Sequence, residues 1–555
     1  METFRKRRKG DGGRSATVTG VGRLALALGA AALLAAGIAA NGATTGTSPD
    51  PTTTVATAPA VVAFTGRGYG HGLGLSQWGA YGYALHGWTH ERILAHYYPG
   101  TTIGRAGVTS VRVLVAEKKQ AVLSATAAWA VTDGTGVRTD LEPGQVALGR
   151  GLVVNGAALP GPLTFTSAEP LAVGDRSYRG KLVVDAHGKL VDVVDLVGLE
   201  QYLAGVVPAE MPSKWPPEAL QAQAIAARSY ALANRASGRS FDLYGDARSQ
   251  VYGGVAAESP AATAAIEATK GQVVRYAGAV ADTLFSSTSG GRTASSLEAT
   301  GVDVPYLVSV PDPYDSVSPY HRWGPVLLDA AAVAKRLSIP APIVGVDVED
   351  GPSGRAARLV ATAADGAQAA LTGNRARLAL GLRSTWFTPV LFTLSPPARR
   401  TAFGGSVTLT GTAAGADGIA LESRPYGGDW APAGPVDLRR DGSFAAPVRP
   451  PVSTAYRLAW GSARIGLAKI TVTARVTAAP TPAGVAGTVA PAAAGTPLLL
   501  QARQPDGTWR TVSSTTLGAG ASWSLGGAVP AGTYRARAMP GHGVAAGVSP
   551  VFTVP

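Results

Sequence analysis

Residues 111–199 alternate between apolar and polar side chains in short runs that end at turn-forming pairs. The pairs are Asp133-Gly134, Asn155-Gly156 and His187-Gly188. Alternation with a period of two, interrupted by such pairs, predicts a series of antiparallel strands. The clearest runs are residues 182–185 and 190–194, which predict a hairpin that leads the chain to Leu199.

The stretch after this hairpin changes from a β pattern to a helical one. Its apolar run, Leu203–Val207, predicts an extended segment that ends at Pro208. The Pro-Pro pair at 216–217 predicts a helix start, because proline lacks the N–H that has no partner in the first helical turn. Residues 219–235 are rich in alanine and carry larger apolar residues among the small ones, which predicts a long and closely packed helix.

Three shorter helices are predicted from capping signals. They span residues 90–98, 260–270 and 329–337. Thr89 and Ser259 precede the first two as N-caps, and Pro99-Gly100 and Gly271 follow them as end signals.

The last third of the chain predicts strands and repeats a pair of aromatic residues. The repeated residues are Trp430 and Tyr456, then Trp509 and Tyr534. Alternating strands with regular turns predict two small Ig-like β-sandwiches, residues 393–475 and 476–555. A spacer is the first interpretation of their role and a wall- or glycan-binding module is the second, because no aromatic cluster marks a binding face.

Composition separates this chain from several classes of protein. Its 555 residues include 71 glycines and 39 prolines, only 15% are charged, and none is cysteine. Thiol catalysis and cysteine-ligated metal sites are therefore excluded. The absence of cysteine also means that the fold relies on core packing rather than disulfides, which is compatible with an exported protein. The net charge of +13 suits anionic partners. The positive residues form no aromatic-interleaved patch, however, so nucleic acid is not predicted as a partner.

A dense basic run, residues 5–9, precedes an apolar stretch, residues 24–40. This order predicts a secretory signal within residues 1–43, and a single-span membrane anchor is the alternative. Either interpretation places the body of the protein outside the cytoplasm. The Thr- and Pro-rich residues 44–60 predict an extended linker.

Residues 66–80 read GRGYGHGLGLSQWGA, with glycine at every second position at the start. The spacing imitates a dinucleotide loop, but no βαβ unit surrounds it, so nucleotide binding is excluded. The glycines instead predict closely packed backbone with φ > 0 at some positions. His71 and Gln77 are the polar candidates here, and His71 is either a ligand-facing group or a structural histidine.

Glu210 is the candidate catalytic residue, on a short segment bounded by Pro208 and Pro212. Its apolar neighbours Met211 and Trp215 favour the protonated carboxyl, which is how a glutamate is kept as a general acid near neutral pH. A solvated loop acid or a cap for the next helix is the alternative interpretation.

Other carboxylates would complete a two-acid glycosidase site only through the fold. Glu218 is near in sequence, but the helix dipole is a sufficient reason for an acid in a first helical turn. The remaining candidates are Glu200, Asp242, Asp246, Glu258 and Asp282.

Several blocks in one order resemble the stage II sporulation protein D family, which includes the amidase-enhancer (LytB-type) proteins. The blocks are residues 202–235, SQVYGG at 249–254, ATKGQV at 268–273, SSTSGG at 286–291 and GLRSTWF at 381–387. The resemblance covers residues 64–390 and implies an α+β domain, residues 61–390, that acts on peptidoglycan. It also implies that Glu210, in its Glu-Met-Pro triplet, is the catalytic acid of a lytic transglycosylase. The glycine-rich block stands on the N-terminal side here, which is interpreted as a circular permutation.

The resemblance also indicates which residues contact a glycan. Hydroxyls and backbone amides of residues 286–289 suit N-acetyl and ring hydroxyl groups, and Arg292 suits a carboxylate; a β-turn of small residues is the alternative. The substrate-binding candidates are Arg228, Tyr230, Gln250, Tyr252, Ser286, Ser287, Thr288, Ser289, Arg292, His71 and Gln77. Some members of the family are thought to hold zinc with cysteines near the Gln-Val-Tyr block. Because Ser249 precedes Gln250 and the chain has no cysteine, we expect no metal and no cofactor.

The sequence therefore predicts an exported lytic transglycosylase that cleaves glycan strands between N-acetylmuramic acid and N-acetylglucosamine. The alternative is a non-catalytic glycan-binding protein that enhances or recruits a cell-wall amidase. In that case Glu210 makes a hydrogen bond to the glycan rather than transferring a proton. The expected partners are peptidoglycan glycan strands, a cell-wall amidase and, through the N-terminal segment, the membrane.

Overall fold

The computed structural model describes residues 60–107, 109–236, 238–340, 342–396 and 398–555. The predicted targeting segment 1–43, and the predicted linker up to residue 59, lie outside these residues. The described chain divides into two compact units. Unit 1 holds residues 83–285, and unit 2 holds residues 60–82 and 286–555.

The described residues form eight α-helices. They are α1 (Gln77–Leu85), α2 (His90–Tyr97), α3 (Leu199–Glu210), α4 (Pro217–Ala233), α5 (Pro260–Ala268), α6 (Ser296–Thr300), α7 (Ala330–Leu337) and α8 (Gly373–Leu380). The hydroxyl of Thr89 caps α2 and that of Ser259 caps α5, which confirms both predicted starts. None of the helices in the described residues is long and apolar enough to cross a bilayer.

Strands fill most of the first half of unit 1. They are Thr102–Arg105, Ser110–Lys118, Gln120–Ala125, Trp129–Thr132, Arg138–Leu141, Gly144–Gly149, Val153–Val154, Ala157–Ala158, Leu163–Ser167, Leu171–Val173, Arg176–Tyr178, Lys181–His187, Leu190–Gly198, Leu243–Tyr244, Gln272–Tyr276 and Ala279–Val280. The predicted hairpin is confirmed, since Lys181–His187 pairs antiparallel with Leu190–Gly198. The second strand of this hairpin also pairs with Ser110–Lys118, in the middle of a seven-stranded sheet.

The helices α3, α4 and α5 pack together and share one apolar core with this sheet. Leu203, Val206 and Val207 from α3 are buried there with Leu220 and Ile266 from the other two helices. The small residues of α4 are buried almost without exception, which explains its alanine-rich sequence. The packed helices therefore hold the end of α3, where Glu210 lies, in a fixed place.

Unit 2 consists mainly of strands. They are Val61–Arg67, Leu75–Ser76, Arg322–Asp329, Ile343–Asp350, Ala356–Ala363, Gln368–Thr372, Trp386–Ser395, Arg400–Ala402, Val407–Ala413, Ala420–Pro425, Ala431–Pro435, Ser443–Val448, Thr454–Trp460, Ala463–Thr473, Arg475–Val476, Ala479–Thr481, Gly484–Ala490, Pro497–Arg503, Trp509–Thr516, Ser522–Gly526, Gly532–Ala538, Val544–Ala545, Gly547–Val548 and Phe552–Val554. The strand Phe285–Ser286 and helix α1 lie where the chain passes between units.

One five-stranded sheet of unit 2 joins distant parts of the sequence. Val61–Arg67 lies between Arg322–Asp329 and Trp386–Ser395, antiparallel to both. The strand Trp386–Ser395 continues the sheet by pairing with Val407–Ala413. The domain boundary predicted between residues 390 and 393 therefore falls inside a strand that is paired on both sides.

The aromatic repeat of the last third has a structural counterpart. Arg457 lies over the ring of Trp430 at 4.0 Å, and Arg535 lies over the ring of Trp509 at 4.3 Å. Each arginine follows the buried tyrosine of its strand, as the repeated pattern predicts. The chain is thus mainly β, with further β structure after the α+β region. Each half of the repeat stacks an arginine on a tryptophan in the same way.

Candidate functional site

Glu210 is the last residue of helix α3, not part of a connector between a strand and a helix. The prediction of an extended run at Leu203–Val207 is wrong, because these residues lie in the interior of α3. The buried residues Tyr202, Leu203, Val206 and Val207 occupy one helical face, and burial of that face against the core overrides the β preference of the two valines. Pro208 falls in the last turn, where the helix loses a single backbone hydrogen bond.

The carboxylate of Glu210 is half-buried and is held by the loop Ser249–Gly254. The backbone N–H of Val251 donates to Glu210 Oε1 over 3.1 Å. On one side of Val251, the buried Gln250 accepts a hydrogen bond from the Tyr202 hydroxyl at 3.1 Å and donates to the Ala227 carbonyl at 3.4 Å. This amide ties the loop to both α3 and α4, so the N–H of Val251 is presented to the carboxylate at a fixed position.

Two phenols lie within electrostatic range of the same carboxylate. Burial, and then the negative charge of Glu210 among other groups, raises the pKa of Tyr202 and of Tyr230. Both side chains are therefore neutral hydroxyl groups at physiological pH. The charge of Asp282 also acts on Tyr230, and burial raises the pKa of Asp282 while Asn234 donates to it at 2.8 Å. Of the scattered acids, Asp282 is thus the one whose charge reaches the same tyrosine as Glu210.

Tyr252 supports the loop from beneath. Its hydroxyl donates to Asp195 Oδ2 over 2.8 Å, and its ring packs against Tyr178 and Tyr202 with centroids 5.3 and 5.0 Å apart. A Cβ on Gly205 would come within 2.6 Å of this ring, so α3 approaches the tyrosine only through glycine. Burial raises the pKa of Asp195 to about 7. Tyr252 is therefore a core residue that positions the loop and is only 2% exposed.

Arg228 is fully buried on α4. Its guanidinium donates to both oxygens of Glu200, at 2.5 and 3.1 Å, and to the carbonyl oxygens of Gln272 and Ile266. A guanidinium with these partners holds α3, α4 and α5 together and is not accessible to a glycan. Of the substrate-binding candidates in unit 1, the loop therefore contacts Glu210 directly and Tyr230 lies within electrostatic range of it.

Glu218 has a more specific role than the helix dipole. Its Oε2 accepts from the backbone N–H of His90 at 2.6 Å and contacts the imidazole Nδ1 at 2.8 Å. The carboxylate thus joins the N-terminal ends of α2 and α4, which pack against each other. Helix α2, which follows the glycine-rich block in the chain, is therefore held against α4.

The remaining candidates lie in unit 2, and several of them face inward. The hydroxyls of Thr288 and Ser76, the backbone N–H groups of Ser289 and Gly290 and the imidazole of His321 all contact the fully buried carboxylate of Asp315. The hydroxyl of Ser289 donates to the buried Asp312 at 2.7 Å. These hydroxyls form an internal cluster. Ser286 is also buried, whereas Ser287 and Arg292 are partly exposed.

The glycine-rich block is close-packed within unit 2, as predicted. Gly68, Gly70 and Gly72 have φ of 79°, 107° and 79°, in the left-handed region that favours glycine. A Cβ on Gly72 would lie 2.5 Å from the guanidinium of the buried Arg355, whose Nη2 donates to the Ser289 carbonyl. His71 Nδ1 accepts from the Leu73 N–H at 2.9 Å, and Gln77 is buried at the start of α1.

Sequence reasoning missed the acids that organise both groups of candidates. Asp195 lies inside an apolar strand, and Asp312 and Asp315 flank Pro313 in an irregular stretch. The one signal that points to Asp195 is an acid among the valines and leucines of its strand, since such an acid is rarely buried without a partner.

Comparisons with known proteins match the region of the chain that contains Glu210 and the loop 249–254. Residues 187–276 match the family model described as SpoIID, Stage II sporulation protein. An uncharacterized protein of Brachyspira hyodysenteriae is 35% identical over 151 residues, 27% of this chain and 41% of that protein. The amidase enhancer of Bacillus subtilis is 36% identical over 140 residues, 25% and 19% of the two chains. Stage II sporulation protein D of the same organism is 29% identical over 185 residues, 30% and 54% of the two chains.

The chain thus spans between 19% and 54% of the length of these three relatives. The matched region 187–276 contains α3, α4, α5, Glu210 and the loop that binds it. Among solved structures, a tetra-tandem repeat from a large adhesion protein matches 39% of this chain and 67% of that one at 15% identity, with a TM-score of 0.17. This score is too low to support a conclusion about the fold.

Proposed function

Because residues 187–276 match the stage II sporulation protein D family, we propose that this chain is an exported lytic transglycosylase of peptidoglycan. Its substrate is the glycan strand, cleaved between N-acetylmuramic acid and N-acetylglucosamine. Glu210 is the acid and base of the reaction. The family and its relatives support a role at the cell wall, and the reaction itself is the part that we propose.

The observation that carries this proposal is the setting of Glu210. Its carboxylate is half-buried, accepts the Val251 N–H at 3.1 Å and lies within electrostatic range of the neutral phenols of Tyr202 and Tyr230. A hydrogen bond from a backbone donor fixes the orientation of the carboxyl, which a proton transfer to a bound glycan requires. A freely solvated surface glutamate, which the binding-protein alternative expects, has no such fixed geometry.

One carboxyl is sufficient for the proposed reaction. The Glu210 acid donates its proton to the glycosidic oxygen, and the bond between that oxygen and C1 of N-acetylmuramic acid breaks. The C6 hydroxyl oxygen of the same sugar then bonds to C1 and gives its proton to the Glu210 carboxylate. The acid is regenerated, no water is consumed, and the product carries a 1,6-anhydro end. Asp282 is not required as a nucleophile, in contrast to glycosidases with two carboxylates.

We further propose that residues 1–43 direct or anchor the protein outside the cytoplasm and that residues 44–60 are a linker. The two β segments, residues 393–475 and 476–555, are proposed as Ig-like modules that act as spacers. In unit 1, Tyr230 and the loop 249–254 are proposed to contact the glycan, and Arg228 and Tyr252 to support them from the interior. In unit 2, Ser287 and Arg292 are proposed as glycan contacts, and Thr288 and Ser289 as their internal support.

The test is incubation of the purified full-length protein with peptidoglycan, both intact and stripped of stem peptides. Mass spectrometry of the products should detect 1,6-anhydro ends for the wild type and a decrease of at least 1000-fold for Glu210→Gln, on the order of the loss for an essential acid–base group. Glu267→Gln is the matched control, because Glu267 is an exposed glutamate on α5 of the same unit. Anhydro ends formed by Glu210→Gln at the wild-type rate would contradict the assignment.

The amidase enhancer of Bacillus subtilis supports a second candidate, a glycan-binding protein that acts on a separate amidase. This alternative expects that the protein sediments with peptidoglycan without producing new ends. It also expects that a cell-wall amidase releases stem peptides faster in its presence, equally with the wild type and Glu210→Gln. The two candidates therefore predict opposite results for the same pair of proteins.

A further inference from the structure

Three carboxylates lie side by side across three neighbouring strands of unit 1. Asp185 pairs with Asp192 across the hairpin, and Asp192 pairs with Glu117 on the next strand. Directly paired residues project from the same face of a sheet, and like charges in such positions are destabilising. His187, at the end of the hairpin, adds an imidazole whose Nδ1 is 3.6 Å from Asp192 Oδ2.

Asp192 is the central residue of this row and is only 8% exposed. Its Oδ1 is buried and has no hydrogen-bond partner, although a buried carboxylate oxygen normally has one. The imidazole contact at Oδ2 is longer than a hydrogen bond. The row of acids therefore surrounds a carboxylate oxygen that the protein itself leaves unsatisfied.

The same residues line a cavity of 410 Å³. Glu117, His187 and Asp192 each offer one ligand atom, and these atoms all lie within 4.8 Å of one another. Ligand atoms bound to one ion at about 2.1 Å are roughly 3–4 Å apart, so a small inward movement of the exposed Glu117 and His187 side chains would bring all three to one ion. Arg239 is the cation among the cavity residues, which also include Phe241 and Tyr244.

We propose that Glu117, His187 and Asp192 bind one divalent transition-metal cation, Zn²⁺ or Mn²⁺, at this edge of the sheet. A donor set of carboxylates with one imidazole suits these ions, whereas Mg²⁺ and Ca²⁺ prefer ligand sets made of oxygen alone. A cation bound by the Asp192 carboxylate gives it the partner that the protein lacks and offsets the repulsion between the paired acids. It links the hairpin to the strand Ser110–Lys118 and thereby stiffens the strand that leads into α3.

A second group of ligand atoms, His90, Glu91 and Glu218, does not carry the same inference. In this group the Glu218 carboxylate already forms hydrogen bonds to the backbone N–H and to the imidazole of His90. These bonds connect α2 to α4, which is a sufficient structural role for the group. It provides the internal comparison for the experiment.

The test is calorimetric titration of the EDTA-treated, dialysed full-length protein with ZnCl₂, MnCl₂, CaCl₂ and MgCl₂, each repeated with a thermal melt. We expect one-to-one binding of Zn²⁺ or Mn²⁺, a rise in Tm, and affinity at least tenfold weaker in Asp192→Asn and His187→Gln. His90→Gln and the exposed Asp140→Asn should bind as the wild type does. Metal-free Asp192→Asn should melt no lower than metal-free wild type, because the substitution relieves repulsion.

Absence of binding at 100 µM of either ion would overturn the proposal, as would unchanged affinity in Asp192→Asn or loss of binding in His90→Gln. A one-to-one site that prefers Ca²⁺ or Mg²⁺ would also overturn it. The side chain of His187 is 74% exposed, so the His187→Gln protein should fold even if Asp192→Asn does not. Because the readouts are affinity and Tm, failure of this proposal leaves the proposed function untouched.

Discussion

The backbone N–H of Val251 donates to Glu210 Oε1 over 3.1 Å, and the side chains on either side of Val251 are both buried. The side chain of Gln250 forms hydrogen bonds to α3 and α4. The hydroxyl of Tyr252 donates a hydrogen bond to Asp195 on the strand Leu190–Gly198. A backbone donor is removed at its own position only by proline, which also fixes φ and so disturbs the loop itself. Its placement therefore has to be tested through the two neighbours that fix it.

Replacement of Gln250 by alanine should displace the loop while leaving the fold intact. The substitution leaves the Tyr202 hydroxyl without its buried acceptor, which should lower the free energy of unfolding by about 1–3 kcal/mol. Transglycosylase activity should fall further than the folded fraction does, because the Val251 N–H is no longer held against Glu210. Urea unfolding and product analysis measure the two effects, and Gln145→Ala, at an exposed position, is the control. Full activity per folded molecule would show that the loop does not set the site.

Asp195 should make the stability of unit 1 depend on pH. Burial raises the pKa of this carboxyl from 3.8 to about 7, so the folded state binds a proton that the unfolded state has released. Its contribution is fully present below about pH 4 and is lost as the pH rises through about 7. At pH 8, Asp195→Asn should be more stable than the wild type by about 2–4 kcal/mol, at 1.36 kcal/mol per pKa unit.

The measurement is a series of urea unfolding curves between pH 4 and pH 8. In Asp195→Asn, the free energy of unfolding should depend much less on pH than in the wild type. The pH dependence that is left should come from Asp192 and Asp282, whose pKa values burial also raises. Asp140→Asn removes an exposed carboxylate and should follow the wild-type curve. The prediction would be contradicted if the free energy of unfolding of the wild type increased between pH 5 and pH 8.

Substitution of Arg228 distinguishes a structural role of this residue from a role in glycan binding. Arg228→Met removes both guanidinium donors of the Glu200 carboxylate, which keeps only the N–H of Gly271, and should lower the free energy of unfolding by about 3–5 kcal/mol. Glycan affinity per folded molecule should not change, because the guanidinium is fully buried. Adding Glu200→Gln should recover part of the lost stability, since it removes the unpaired charge. Weakened glycan binding by a variant of wild-type stability would instead make Arg228 a substrate contact.

The sequence predicts those parts of the fold that depend on local signals. Thr89 and Ser259 are helix caps because a hydroxyl reaches backbone N–H groups of its own first turn. The hairpin around His187-Gly188 likewise needs only alternation and a turn. Helix α3 was predicted incorrectly because two valines followed by Pro208 have a local preference for extended structure, while the helix is fixed by distant partners in the core.

The candidate site was predictable only in part, for the same reason. Glu210 is identifiable from its triplet, but its partner Val251 lies 41 residues later. The Ser/Thr run reads as a sugar-binding surface until Asp315, 27 residues beyond Thr288, turns its hydroxyls inward. The row of Glu117, Asp185 and Asp192 exists only through strand register, which spacing along the chain does not reveal.

The position of Val61–Arg67 between two late strands has a consequence for synthesis. Its first partner begins at Arg322, which is 255 residues after Arg67 (322 − 67). Its second partner begins at Trp386, which is 319 residues after Arg67 (386 − 67). At roughly 5–20 residues per second, the second interval lasts about 16–64 s. Until Arg322–Asp329 has been made, the apolar side chains of Val62 and Phe64 lack the neighbours that share their core in the finished protein. Among the strands of the described residues, Val61–Arg67 is made first and gains its second partner only when residue 395 has been made, so its apolar face is open to aggregation during synthesis.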